Sequence, residues 1–352
     1  MAQLSESLLE ALPGPKWLPA GPKRVTPAQH LRKLLSGRLG VDPADVPAAS
    51  LAEANTLANR LRYILKETMG ADGELERRIE ELRVMEEEGA DLSLVLGSAE
   101  QVAAVPSSGE GHDVDRAVAS FVASVAPGGW MRLLLQMGEL GVVMGDTLFV
   151  HGGLISRDYL NGEDDESDTD AFGHVPGQPT RFNENVIDWL HRLQAWKRET
   201  LQQWMSQPRW SDPSRPGGAD GNLRGGEGLL DYVLPGTGPS VVMGRHLDEE
   251  SMPRAAPYSL MVKCNRSAIR RLVVGHTPHG NCPTVIKTEE DGHSLEVVMM
   301  DTSYSDMKAA DNRGQAVCAR LQVPSRASFT HPCLRPNGIP HSRPATAANA
   351  GE

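Results

Sequence analysis

The sequence predicts a mixed α/β protein preceded by a helical hairpin. Three observations lead there. Apolar residues recur at three- and four-residue steps from Leu51 to Met85, short β-branched runs recur after residue 147, and a long helical pattern stands between those runs at 183–205.

The chain has 352 residues, enough for one large or two modest domains, with a formal net charge of -11 and a pI near 5.5. An acidic balance of this size argues against nucleic-acid and anionic-membrane partners, since both need a basic face to displace counterions. No nucleic acid and no membrane are expected among its partners. Cys264, Cys282, Cys318 and Cys333 show no C-x-x-C spacing, so a reducing compartment is expected. Glu6 and Glu10 interrupt the first ten residues, and Pro13 and Pro15 follow, which argues against a signal peptide. No run approaches the ~18 apolar residues of a membrane span.

Residues 1–49 are rich in Pro, Gly and Ala and are expected to form a loosely ordered leader. Lys23, Arg24, Arg32, Lys33 and Arg38 give it the basic character of an organelle transit peptide, but acidic residues precede them and serine is sparse. Residues 50–98 form the helical region. Leu51, Leu57, Leu61, Ile64 and Leu65 mark one amphipathic helix, Leu75, Ile79, Leu82 and Met85 a second, and Gly70–Gly73 the turn between them. The stripe is expected to pack on its own domain, with a protein partner as the alternative.

The polar stretch PSSGEGHD precedes an α/β segment at 113–323. Its strands are expected at Thr147–Val150, Leu272–Val274, Thr284–Ile286, Leu295–Met300 and Gln315–Leu321. The turn at Glu289–Gly292 makes the late strands an antiparallel meander. A helix is expected from Asn183 to Met205, an acidic loop at 163–170 and a Gly/Pro-rich loop at 211–228. The Pro- and Ala-rich tail at 324–352 is expected to be disordered.

Two segments carry chemistry. Thr147-Leu148-Phe149-Val150-His151-Gly152-Gly153-Leu154 is an apolar strand that ends in a histidine and two glycines. Ligand sites collect at strand ends of α/β sheets, and glycines let a metal or phosphate approach the backbone. Arg271-Leu272-Val273-Val274-Gly275-His276-Thr277-Pro278 repeats the design 125 positions later. Neutral imidazole suits Mn, Fe and Zn, and paired ions of this kind activate water against phosphate esters, although two histidines alone do not hold such a pair.

With GDTLFVHGGL and VVGHTP in this order, the chain resembles the phosphoprotein-phosphatase-like branch of the calcineurin-like metallophosphoesterases. Within that branch it is nearest the Shewanella-like protein phosphatases of bacteria, plants and algae. APGGWMRLLLQMGELGVVMGD, RWSDP at 209–213 and MMDTSYSDMKAADNRGQAV support the resemblance, which spans 113–323. It implies a sandwich of two mixed β-sheets flanked by helices, of which this chain supplies the C-terminal half. It also implies a divalent metal (Mn, Fe or Zn) with His151 and His276 as ligands of the second ion. The activity it implies is hydrolysis of a phosphate ester, including protein Ser/Thr phosphate, with a phosphorylated molecule as substrate.

The family's Asp-x-His, GDxxDRG and GNHE motifs are not found, so no catalytic residue is assigned. The nearest segment to GDxxDR is Gly111-His112-Asp113-Val114-Asp115-Arg116. Arg224, in GNLRGGEG, is the candidate phosphate-binding residue, since guanidinium suits a bidentate phosphate contact, against the plainer reading of a solvated loop arginine. His279 stands one residue too far from His276 to complete a GHxH. Asp301 follows a strand and suits either orienting a ligand histidine or capping a turn. The acidic loop lacks EF-hand spacing. Two functions follow: a truncated or inactive phosphoesterase, or a non-catalytic relative acting as a protein-interaction module.

Overall fold

The computed structural model describes residues 24–97, 109–156, 169–181, 183–208, 224–234, 238–248, 250–280, 282–302 and 329–330, with Gly14 and Ala103 singly. The chain divides into two compact units, 1–138 and 139–352.

The first unit is helical. Helix α1 (Pro27–Leu39) begins at Thr26, whose hydroxyl accepts from the Gln29 amide while the Gln29 side chain accepts from the Thr26 amide. This capping box, with Pro27 at the first turn, satisfies two otherwise orphaned donors. Ala28, Leu31 and Leu35 then bury against Val46, Leu51 and Ala54. The expected loose leader is therefore corrected over this stretch, where local capping and an i, i+4 leucine pair outweigh a helix-breaking composition.

Helices α2 (Ala48–Ala54) and α3 (Leu57–Tyr63) replace the single helix expected after Ser50. They part at Thr56, whose hydroxyl accepts from the Asn59 amide and starts a new helix. A π-helical turn, Ile64–Thr68, extends α3, and Gly70 and Gly73 take left-handed conformations before α4 (Glu74–Glu87). After α5 (Ser93–Leu96) come α6 (His112–Val125) and α7 (Trp130–Met137). Ala58, Leu65, Leu75 and Leu82 pack with Ala117 and Val118 of α6, so the hairpin stripe is buried within its own unit.

Helix α6 belongs to this bundle although 113 is the expected start of the α/β segment. Its GHDVDR sequence is a helix N-terminus, where Asp113 pairs with Arg83 at 2.7 Å and Arg116 with Glu86 at 2.8 Å. These are surface ties between α6 and α4, not strand-end ligands. Residues 112–137 also qualify, by length and composition, as a helical stretch able to cross a membrane, contrary to the expectation that no run comes near it. The stretch breaks at residues 126–129, where Pro127 and left-handed Gly128 separate α6 from α7.

The second unit is mixed α/β. Strands β1 (Gly141–Met144) and β2 (Thr147–Val150) form a hairpin, and β3 (Ile155–Ser156) pairs with β4 (Thr169–Asp170) as a separate ribbon. Helix α8 (Val186–Ser206) starts at Asn185, whose side chain accepts from the Asp188 amide, and it buries Trp189, Leu190 and Leu193. Helices α9 (Glu227–Tyr232) and α10 (Tyr258–Arg266) follow, then β5 (Arg271–Val274), β6 (Thr284–Glu290), β7 (His293–Met299) and β8 (Phe329–Thr330).

Six of these strands form one sheet in the order β6-β7-β5-β2-β1-β8. As expected, β6 and β7 are antiparallel, joined through Asp291 and Gly292, both at positive φ, the conformation a two-residue hairpin turn requires. In contrast, β5 runs parallel to both β2 and β7. The core joins Leu148, Val150, Leu272 and Val274 of the sheet to Trp189 and Leu193 of α8 and to Leu260 and Met261 of α10. Within the expected tail, Phe329–Thr330 pairs with Val143 and Met144 as an edge strand. The expected strand at 315–321, the RWSDP segment and most of the acidic loop lie outside the described residues.

Candidate functional site

The site begins with register. Strands β2 and β5 are parallel neighbours with Thr147 opposite Arg271 and Phe149 opposite Val273, so both end at the same level. Their histidines therefore emerge side by side, and the His151 and His276 rings lie 5.3 Å apart, tilted by 53°. The Gly275 amide donates to the His151 carbonyl at 2.7 Å, which carries the strand pairing one step into the loops.

His276 adopts a left-handed backbone, φ 66°. A residue with a Cβ rarely does so, and such positions gather at functional sites. The Thr277 amide closes the turn on the Gly275 carbonyl at 2.7 Å. The His276 Nε2 is buried and has no hydrogen-bond partner among the described residues. Burial lowers the His276 pKa, the neighbouring Arg245 and His151 lower it further, and Asp301 opposes them. The shift favours the neutral imidazole over the charged one.

The turn after His151 is held by a segment that the sequence reading missed. The Val241 carbonyl accepts from the amides of Gly152 at 2.7 Å and Gly153 at 3.3 Å, and the Arg245 amide donates to the Ile155 carbonyl at 2.7 Å. Contact is so close that a Cβ on Gly152 would lie 2.3 Å from the Val242 oxygen. This places the Arg245 charge beside His276 and packs the fully buried His246 against Gly153. A signal for it exists in Val241-Val242-Met243-Gly244-Arg245-His246, which echoes the apolar-glycine-histidine pattern of VVGHTP.

Arg224 stands in a local ion pair. Its guanidinium pairs with Glu227 at 2.9 Å, both partly buried, and Gly225 and Gly226 pack on Gln203 and Trp204 near the end of α8. Asp301 lies beside Gly275, with its Cβ 3.9 Å from where a Cβ on that glycine would stand. His279 uses its carbonyl to accept from the Thr284 hydroxyl at 3.3 Å. A cleft of 760 Å³ lies elsewhere, lined by Thr180, Arg181, Glu184, His191 and Arg192, and its Arg192–Glu184 ion pair is internally neutral.

His151 and the orphaned Nε2 of His276 bring two imidazoles together, with Asp301 near Gly275. Among the described residues, no group of three or more His, Cys, Asp or Glu side chains is placed to hold a metal ion, whether one or a pair.

The chain matches no protein-family model, no curated protein and no solved structure.

Proposed function

We propose that the chain is a relative of the calcineurin-like phosphoesterases whose His151–His276 pair, with Arg245 beside it, holds a phosphate group together with one divalent ion. On this reading the six-stranded sheet is the family's second sheet, and among the described residues no set of carboxylates is gathered for a two-metal hydrolytic centre. The observation that carries the reading is the meeting of two strand-end imidazoles at 5.3 Å, one of them in a left-handed conformation. An ion held there by His151 and His276 would supply Lewis-acid polarisation of a phosphoryl oxygen. His151 and His276 contribute imidazole nitrogens, and the Arg245 guanidinium contributes charge for an anion. In this role Arg245 replaces Arg224.

The test is metal content and hydrolysis of an aryl phosphate in Mn²⁺, comparing the chain with a His151→Ala, His276→Ala double variant. One ion per chain, lost in the variant and without turnover above background, is the expected result. Two ions with turnover that the variant loses would identify an intact enzyme. No metal and no phosphate binding would leave only shared descent and overturn the reading.

The alternative, a protein-interaction module, has one observation in its favour. On α7, Trp130, Leu133, Leu134, Leu135 and Met137 are all exposed. Loss of a partner on Leu134→Glu, with the His double variant unaffected, would favour it.

A further inference from the structure

We propose that His246 is the positioning residue of the two-imidazole site, a buried pin that fixes the turn carrying His151. Its Nε2 accepts from the Leu154 amide at 3.4 Å, and its ring stands 2.8 Å from where a Cβ on Gly153 would be. The imidazole thus occupies the space that glycine leaves. It also satisfies a buried donor in the turn three residues after His151. Because Nε2 accepts, Nδ1 carries the proton, and that nitrogen is buried without a hydrogen-bond partner among the described residues.

A buried donor without a partner destabilises the fold. Methionine or leucine would fill a similar space with no such cost, so what the imidazole adds at this position is its acceptor. The neighbouring backbone makes the pin two-sided. The Arg245 amide bonds to Ile155, and Gly244 packs directly on Gly153, where a Cβ on Gly244 would lie 2.5 Å from the Gly153 oxygen. Holding His246 in place therefore holds the His151 turn and the Arg245 backbone together.

The site it positions is the one proposed above, so the test separates the two ideas. Wild type, His246→Ala and His246→Gln are compared by amide hydrogen exchange over 151–155 and by titration with Co²⁺ alone. The glutamine Oε1 reaches the place of Nε2. The expected result is at least tenfold faster exchange over 151–155 in His246→Ala, wild-type exchange in α8 and β7, recovery in His246→Gln, and Co²⁺ affinity in the same order. Unchanged exchange at 151–155 in His246→Ala overturns the proposal. So does a uniform rise across the sheet that glutamine does not reverse. Exchange that follows the expected order in a protein that binds no Co²⁺ supports the pin and refutes the metal reading.

Discussion

The Gly275 amide donates to the carbonyl of His151 at 2.7 Å, so the two histidine turns are joined by main chain before any side chain takes part. Strand register sets the spacing of the imidazoles. The turn conformation of His276 sets their direction, and both can be probed separately.

At position 276, the left-handed backbone costs a residue with a Cβ about 1–2 kcal/mol relative to glycine. His276→Gly is expected to be more stable than His276→Ala by about 1 kcal/mol in urea unfolding. Equal stability would show that the turn relaxes to negative φ once the imidazole is gone.

Gly152→Ala places a Cβ 2.3 Å from the Val242 oxygen and 2.7 Å from the Gly244 oxygen, both backbone atoms that cannot swing away. A loss of about 3 kcal/mol is expected from this overpacking, read as a lower denaturation midpoint. A loss under about 1 kcal/mol would mean that the 240–246 segment lifts off cheaply.

Burial, with Arg254 as a smaller cause, pushes the His246 pKa down to about 4 from 6.5. The unfolded chain then binds the proton more tightly, so this contribution to stability is complete above pH 6.5 and is lost as pH falls toward 4. The loss is on the order of 3 kcal/mol. Denaturation midpoints measured from pH 7 to pH 4.5 should fall steeply in wild type and less in His246→Gln. Identical slopes would remove His246 as the acid-sensitive group.

Thr26→Ala removes the side chain that accepts from Gln29, and the first unit should lose about 1 kcal/mol. Far-ultraviolet circular dichroism during thermal unfolding measures it. Thr26→Ser should retain most of the wild-type midpoint.

Much of the second unit was legible because its signals are local. Apolar runs that end in Gly and His located β2 and β5, and helical periodicity located α8 to within a few residues. The Asp-Gly pair located the β6–β7 turn. Other features depend on partners distant in sequence. Strand β1 is four residues long and pairs with β2 through a tight turn at Gly145, too short a run to stand out by pattern alone. The break at Thr56 is a side-chain cap that apolar spacing does not register. Arg245 and His246 join the site through backbone bonds to Gly152–Ile155, roughly ninety positions earlier, so periodicity is blind to them. Arg224 drew attention through a motif, but its charge is matched locally by Glu227.

The hydrogen bond between the two turns uses only backbone atoms, the Gly275 amide and the His151 carbonyl. It therefore does not depend on which side chain stands at position 151, and the frame that spaces the two positions is separable from whatever side chains they carry.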